Sequence, residues 1–289
     1  MMSNESKFVV FNGKIERSDK AVIPVDHSAI YYGTGCFETF VADSSRFFKL
    51  NEHVDRMNRG IEYLSRGAVK SLSAERIREN LLQLLKKNDL DQETARVRIQ
   101  FSLMEKGGYS ISQNPDFFVF MTTSKLKRNR TPIHLKSVET RVVPSNSRPA
   151  DLKLSNMLHY RHAWREANSM GADDALMLTQ DDFIAETSIG NLFWKKGNAI
   201  FTPSVECDIL PGITRNSLVD LLSQKDEITI QEGRFDSSDI QSADTVWMTN
   251  SVREIQEVSK IDEKTVQTDQ DFMDDLSGWF NDYKMKHLL

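Results

Sequence analysis

The chain has 289 residues, enough for roughly two domains of ordinary size, and 39% hydrophobic with 27% charged content excludes a disordered chain. A net charge of −5 and a pI near 5.8 argue against nucleic acid as the main partner, because affinity for a phosphate backbone rests on clustered Lys and Arg. No apolar run approaches the ~18 residues needed to span a bilayer, and Met1 to Lys7 hold no apolar segment behind a basic start, so no membrane partner and a cytoplasmic location are expected.

Phe8 to Phe11 reads as a strand that enters Asn12-Gly13, a two-residue hairpin signal, and Phe37 to Val41 leads through Asp43-Ser-Ser45 to Phe47-Phe48. Two amphipathic helices follow. The first is expected from a cap at Asn51, with Val54, Met57, Ile61 and Leu64 on one stripe; the second starts near Ser73 and aligns Ile77, Leu81, Leu84 and Leu85. Arg96 to Leu103 alternates strictly, and Asp116 to Met121 is a buried type of apolar run. These elements predict an α+β unit over residues 1–123, and the basic, polar stretch 124–131 reads as the joint to a second domain, 132–289.

Beyond the joint the pattern predicts a helix from about Leu154 to Asn168, strands at Ala175 to Leu178, Leu192 to Lys195 and Ala199 to Phe201, and a helix carrying Leu218, Leu221 and Leu222. A closing amphipathic helix is expected from Phe272 to Leu289. Cys36 and Cys207 form no C-x-x-C pair, and His159 and His162 lack a third ligand nearby, so neither a disulfide framework nor a metal site is expected.

Three features carry chemistry. Lys153 stands in Pro149-Ala-Asp-Leu-Lys-Leu-Ser-Asn156, and a partly buried lysine amine can condense with an aldehyde. Alone, it reads as a solubilising surface charge, and its place ahead of the next two features is what singles it out. Glu186 opens Glu-Thr-Ser-Ile-Gly-Asn-Leu-Phe193, where a carboxylate beside a pyridine ring would keep its nitrogen protonated and Gly190 would allow a tight backbone passage. In Leu210-Pro-Gly-Ile-Thr-Arg215, free N–H groups at a helix start and the Thr214 hydroxyl suit a phosphate, although a type II turn with an N-cap explains the same letters. Arg56, in His53-Val-Asp-Arg-Met57, could add a bidentate contact to such a phosphate.

In this order the elements resemble the class IV pyridoxal phosphate enzymes, which comprise branched-chain aminotransferases, D-amino-acid aminotransferases and aminodeoxychorismate lyases. The likeness runs from Gly33-x-Gly35-x-Phe37-Glu38 through Glu52-His53-x-x-Arg56, Lys153, Glu186 to Phe193, Thr202-Pro203 and Leu210 to Arg215, and ends at the polar Thr249-Asn250-Ser251. It implies a two-domain fold with a small α/β N-terminal domain and a larger pseudo-barrel C-terminal domain, pyridoxal 5'-phosphate as cofactor, and a homodimer acting on a small-molecule substrate. By matching positions it implies Lys153 as the Schiff-base lysine, Glu186 at the pyridine nitrogen, and Arg56, Ile213, Thr214 and Ser251 around the phosphate. Tyr32, Lys106 and Asn250 are the substrate-binding candidates.

Within the family, Asn191 to Asn198, Thr249-Asn250-Ser251 and Gly108-Tyr109-Ser110 look most like the lyases. An arginine commonly precedes that Gly-Tyr-Ser, whereas this chain has Gly107, with Lys106 one step earlier. The expected activity is cleavage of 4-amino-4-deoxychorismate to p-aminobenzoate and pyruvate for folate synthesis. Branched-chain or D-amino-acid transamination is the alternative, and a protein that binds pyridoxal phosphate without turnover is a remote third.

Overall fold

The computed structural model describes residues 6–106, 109 and 112–289. Gly107, Gly108 and Ser110, which carry part of the lyase-like loop, lie outside the described residues. The chain divides into two compact units: residues 1–127 with 152–156 and 287–289, and residues 128–151 with 157–286.

In the first unit, β1 (Phe8–Phe11) and β2 (Lys14–Arg17) form the hairpin turned by Asn12 and Gly13, both at positive φ. A short helix α1 (Ser28–Tyr31) precedes β3 (Gly35–Asp43), which turns through Ser44 and Ser45, again at positive φ, into β4 (Arg46–Phe47). Helices α2 (Leu50–Ser65) and α3 (Ala74–Lys87) follow, then β5 (Thr94–Met104) and β6 (Asp116–Lys125). The sheet order is β2-β1-β6-β5-β3-β4. Its core face buries Phe40, Val97, Ile99 and Phe101 against Val54, Met57 and Ile61 of α2 and Leu81, Leu84 and Leu85 of α3, so the periodicities read from the sequence meet in one hydrophobic core.

Two helix starts differ in kind. Ser73 caps α3 by accepting from the Arg76 N–H, as the sequence predicts. Asn51 does not cap α2; the helix begins one residue earlier, after a left-handed Lys49 whose side chain makes no cap.

The second unit contains β7 (Ile133–Ser137), α4 (Leu158–Ser169), β8 (Asp174–Leu178), β9 (Ile184–Thr187), β10 (Asn191–Lys196) and β11 (Ala199–Pro203). It continues with α5 (Ile213–Leu222), β12 (Thr229–Gly233), α6 (Ser237–Gln241), β13 (Thr245–Asn250), β14 (Glu254–Ile261), β15 (Lys264–Thr265) and α7 (Gln270–Lys286). The sheet runs β12-β11-β10-β13-β14-β7-β8-β9, and β9 also pairs with β10 through Glu186 and Asn191. That extra pairing closes β10, β13, β14, β7, β8 and β9 into a six-stranded ring, the barrel that the family resemblance implies. Its interior is filled by Leu135, Leu176, Ile184, Leu192, Trp194, Val246, Met248 and Val258.

Two sequence expectations are corrected. Helix α4 starts at Leu158 and not near Leu154, because Leu152–Asn156 stays extended against β3. For the same reason this segment, with Lys153, packs with the first unit although it lies within the 132–289 stretch. The Phe37 N–H donates to the Lys153 carbonyl at 3.0 Å, the Ser155 N–H donates to the Gly35 carbonyl at 2.7 Å, and Leu152 and Leu154 enter the first unit's core.

Candidate active site

The first unit presents the lysine. Leu152 and Leu154 point into the core, so alternation sends Lys153 to the opposite face of the strand-like segment, where its Nζ lies 4.9 Å from the Phe37 ring centroid. Arg98 stacks on the same ring at 4.0 Å. The glycine motif makes this approach possible. Gly33 adopts a left-handed φ of 67°, and a Cβ on Gly35 would fall 2.5 Å from the Phe101 carbonyl and 3.0 Å from Ser155 Oγ.

Glu38, on the core face of β3, is fully buried and ties α2 to the sheet. It accepts Arg56 Nε at 2.7 Å and Nη2 at 2.8 Å and meets His53 Nδ1 at 2.6 Å. Burial alone would push its carboxyl up, but the charges and hydrogen bonds of Arg56 and His53 outweigh it and hold it at about 2. Burial pushes His53 below its usual range, which Glu38 only partly offsets. Arg56 is therefore a buried fork on Glu38, and not the water-facing helical arginine that its letters alone would also allow.

The second unit presents a carboxylate and a helix start. Between Leu176–Thr187 and Leu178–Ile184 the β8–β9 register shifts, with one more residue on β9 than on β8. Ile184 and Thr187 both face the barrel interior, where Thr187 Oγ1 contacts Met248 Sδ, and Glu186 is thereby turned outward. On that outer face Glu186 pairs with Asn191 of β10, which pairs with Thr249 of β13, giving a polar row across three strands.

Glu186 is 3% exposed and accepts from the Tyr160 hydroxyl, from Asn191 Nδ2 at 3.0 Å and from the Leu210 N–H at 3.3 Å. Asn191 Nδ2 also donates to the Leu210 carbonyl at 2.8 Å, which fastens the Leu210–Arg215 segment to the row. Thr249 Oγ1 is buried and has no hydrogen-bond partner among the described residues.

Helix α5 starts from an extended Gly212 with no side-chain cap, and its first intrahelical bond runs from the Asn216 N–H to the Gly212 carbonyl at 2.8 Å. The N–H groups of Ile213 and Thr214 precede that bond and have no intrahelical acceptor, the ordinary condition for binding an anion. Ile213 and Thr214 are both buried. A Cβ on Gly212 would lie 2.2 Å from Asn191 Oδ1, so only glycine lets the helix start reach the Glu186–Asn191 pair.

Asn250 ends β13 with its side chain engaged in the next turn: Oδ1 accepts from the Val252 and Arg253 N–H groups at 2.9 and 2.8 Å, and Nδ2 donates to the Ile189 carbonyl at 3.2 Å. Ser251 is half-buried in that turn. Tyr32 caps the end of α1, exposed and stacked on Tyr109 with ring centroids 5.5 Å apart, and Lys106 is exposed. Thus Glu186, Ile213 and Thr214 are joined through Asn191, while Lys153 and Arg56 flank opposite faces of β3.

Tyr160 is the functional candidate that pattern reading passed over. On an amphipathic helix it reads as core, and its bond to Glu186 becomes visible only once α4 is seen against the outer face of β8 and β9. Asn191 was legible as part of a tight passage but not as the link between carboxylate and helix start.

Among the described residues, no group of His, Cys, Asp and Glu could hold a metal ion, and no helix is long and apolar enough to cross a membrane. Within the second unit, the uncapped start of α5 offers the free N–H groups that suit a phosphate.

The chain belongs to the class IV aminotransferase family, whose model matches residues 35–261. It is a pyridoxal phosphate-dependent enzyme of the kind that includes both aminotransferases and lyases. The aminodeoxychorismate lyase of Bacillus subtilis (strain 168) is 32% identical over 262 residues, 88% of this chain and 87% of that protein. The branched-chain aminotransferase of Thermoproteus uzoniensis, solved with norvaline, superposes with a TM-score of 0.90 at 20% identity and covers 98% of this chain and 99% of its own. The branched-chain amino acid aminotransferase of Thermobaculum terrenum, solved in its PLP-form (holo-form), gives a TM-score of 0.85 at 17% identity, with 99% of each chain covered. At these identities the two structures speak for the fold.

Proposed function

We propose that this chain is a 4-amino-4-deoxychorismate lyase that releases p-aminobenzoate and pyruvate for folate synthesis. The observation that carries this reading is the likeness to the Bacillus subtilis lyase over nearly the whole length of both chains. The Thr249-Asn250-Ser251 turn, which the sequence analysis reads as lyase-like, supports it with an internally bonded geometry set by Asn250.

The cofactor fits the residues present: among the described residues, Gly212 leaves a helix start without a side-chain cap, Thr249 Oγ1 is a buried hydroxyl without a partner, and Glu186 is held by polar donors. When bound, pyridoxal phosphate supplies an aldehyde that condenses with amines and a ring that takes up electron density from the substrate carbon. Lys153 Nζ is the amine that would hold that aldehyde and, when free, would take up the proton from the substrate's amine-bearing carbon. Glu186 holds a negative charge for the ring nitrogen. The N–H groups of Ile213 and Thr214 bind the phosphate together with Ser251, and Arg56 adds a guanidinium anchored by Glu38.

Tyr32, Lys106 and Asn250 are proposed to meet the substrate, Lys106 as a point charge toward a carboxylate. A homodimer in the cytoplasm belongs to the same reading. The family also contains aminotransferases, and the two chemistries share every step up to proton removal, so Lys153 and Glu186 serve either.

The test is the product profile of purified holoenzyme. Aminodeoxychorismate alone is expected to give p-aminobenzoate and pyruvate. Turnover that appears only when glutamate or a branched-chain amino acid is paired with a 2-oxo acid would replace the lyase by an aminotransferase. Lys153→Ala is expected to abolish both turnover and the yellow absorbance of the bound cofactor.

A further inference from the structure

Tyr160 lies on α4 with its ring buried, 7% exposed, among Val138, Val142, Ala163 and Ala185. Its hydroxyl passes out of this apolar cluster and donates to Glu186 Oε1, while Asn191 Nδ2 donates to Oε2. Each oxygen of the carboxylate thus has its own neutral side-chain donor, and the Leu210 N–H lies 3.3 Å from both. The phenol and the amide donate to the Glu186 carboxylate and so favour its anionic form.

Behind the phenol stands Arg148, 8% exposed, its guanidinium 5.9 Å from the Tyr160 ring centroid and its Nε buried without a hydrogen-bond partner among the described residues. The His159 ring lies 4.1 Å from the Tyr160 ring on the same helix. Burial, and then the negative charge of Glu186, push the phenol well above its ordinary range, which favours its protonated, donating form.

From this geometry we infer that Tyr160 is a positioning residue for the cofactor's ring nitrogen: its hydroxyl fixes the orientation of Glu186 and keeps that buried carboxylate anionic, with Arg148 strengthening the phenol as a donor. The inference rests on the reading of Glu186 as the ring nitrogen's partner. Loss of one hydrogen bond to a buried charge changes an equilibrium by about tenfold or more, which is ample to alter how the ring is held.

The experiment is a double-mutant cycle on the holoenzyme with Tyr160→Phe, Glu186→Gln and the two combined. It is read by the absorbance spectrum of the bound cofactor, by the dissociation constant for pyridoxal phosphate, and by kcat and KM for whichever donor the wild type turns over. Tyr160→Phe is expected to lower kcat about tenfold with KM changed less than about twofold, and to shift the cofactor spectrum in the same direction as Glu186→Gln. In the Glu186→Gln background it is expected to change neither kcat nor spectrum, because no carboxylate charge remains there for the phenol to hold toward the ring nitrogen.

Effects that multiply in the double variant, or a Tyr160→Phe protein that melts earlier with an unaltered spectrum, would reduce Tyr160 to a packing residue and overturn the inference. Should Tyr160→Phe fail to fold, Arg148→Gln carries the same cycle, with a smaller shift that must likewise vanish beside Glu186→Gln. If Glu186→Gln alone leaves spectrum and kcat untouched, it is the assignment of Glu186 that fails. If Glu186→Gln matters and Tyr160→Phe does not, only the inference about Tyr160 fails.

Discussion

Gly212 shows how one missing side chain organises the start of α5 beside Asn191. Its φ of −65° is open to any residue, so backbone strain does not demand glycine there; the demand comes from Asn191 Oδ1, 2.2 Å from where a Cβ would stand. Gly212→Ala is expected to push Asn191 off Glu186 and to weaken pyridoxal phosphate binding by about tenfold, the worth of one such hydrogen bond, at a stability cost of about 1–3 kcal/mol. Titrating the apo-protein with the cofactor checks it, and unchanged affinity would show that Asn191 is not part of the binding machinery.

Glu38 governs the acid response of the first unit. Its folded carboxyl sits at about 2 against an ordinary 4.5, so its stabilisation is complete above 4.5 and is lost as pH falls from there toward 2, about 3 kcal/mol in all. His53 acts in the same sense: it is held below its ordinary 6.5, so the unfolded chain takes up its proton first as pH drops below 6.5. The melting temperature is therefore expected to decline from pH 6.5 and more steeply below 4.5. Glu38→Gln should lose the steeper part while being less stable at neutral pH by about 3–5 kcal/mol, because Arg56 loses its buried partner.

Among the elements, legibility follows the range of the forces that shape them. The Asn12-Gly13 hairpin, the stripes of α2 and α3 and the alternation of β5 depend on neighbours a few residues away, and each lies where its local pattern predicts. Ser73 is such a local device, and Ser73→Ala is expected to cost about 1 kcal/mol in chemical denaturation without changing turnover. The β9 bulge is the opposite case. Strict alternation from Ile184 would put Glu186 inside the barrel, and only the cross-strand register with β8 sends it outward to Tyr160 and Asn191. A carboxylate at this strand end was legible in the sequence; the face it occupies was not, because the partner that sets the register is a separate strand. The start of α4 differs for a similar reason: Leu154 continues its helical pattern on paper, but the Leu152–Asn156 segment is anchored to Gly35, Cys36 and Phe37.

At the scale of the whole molecule, the first unit is assembled from three separated pieces of chain, and that is what a reading along the sequence cannot foresee. Leu152–Asn156 joins it more than a hundred residues after β3, and the last three residues return to its sheet edge. There the Phe47 N–H donates to the Leu289 carbonyl at 2.9 Å, the Leu289 N–H donates to the Phe47 carbonyl at 3.0 Å, and the Lys49 N–H donates to the His287 carbonyl at 3.4 Å. Strand β4 is only two residues long, so this tail is a large part of what covers an otherwise open edge just ahead of α2. Removal of His287–Leu289 is expected to lower stability by about 1–3 kcal/mol, with loss of amide protection at Phe47 and Lys49 before the remaining strands. Hydrogen exchange on the truncated protein decides the matter. Unchanged protection at those two amides would mean that the edge is held by β3 alone, and that the C-terminal tail contributes nothing to the unit that carries Lys153.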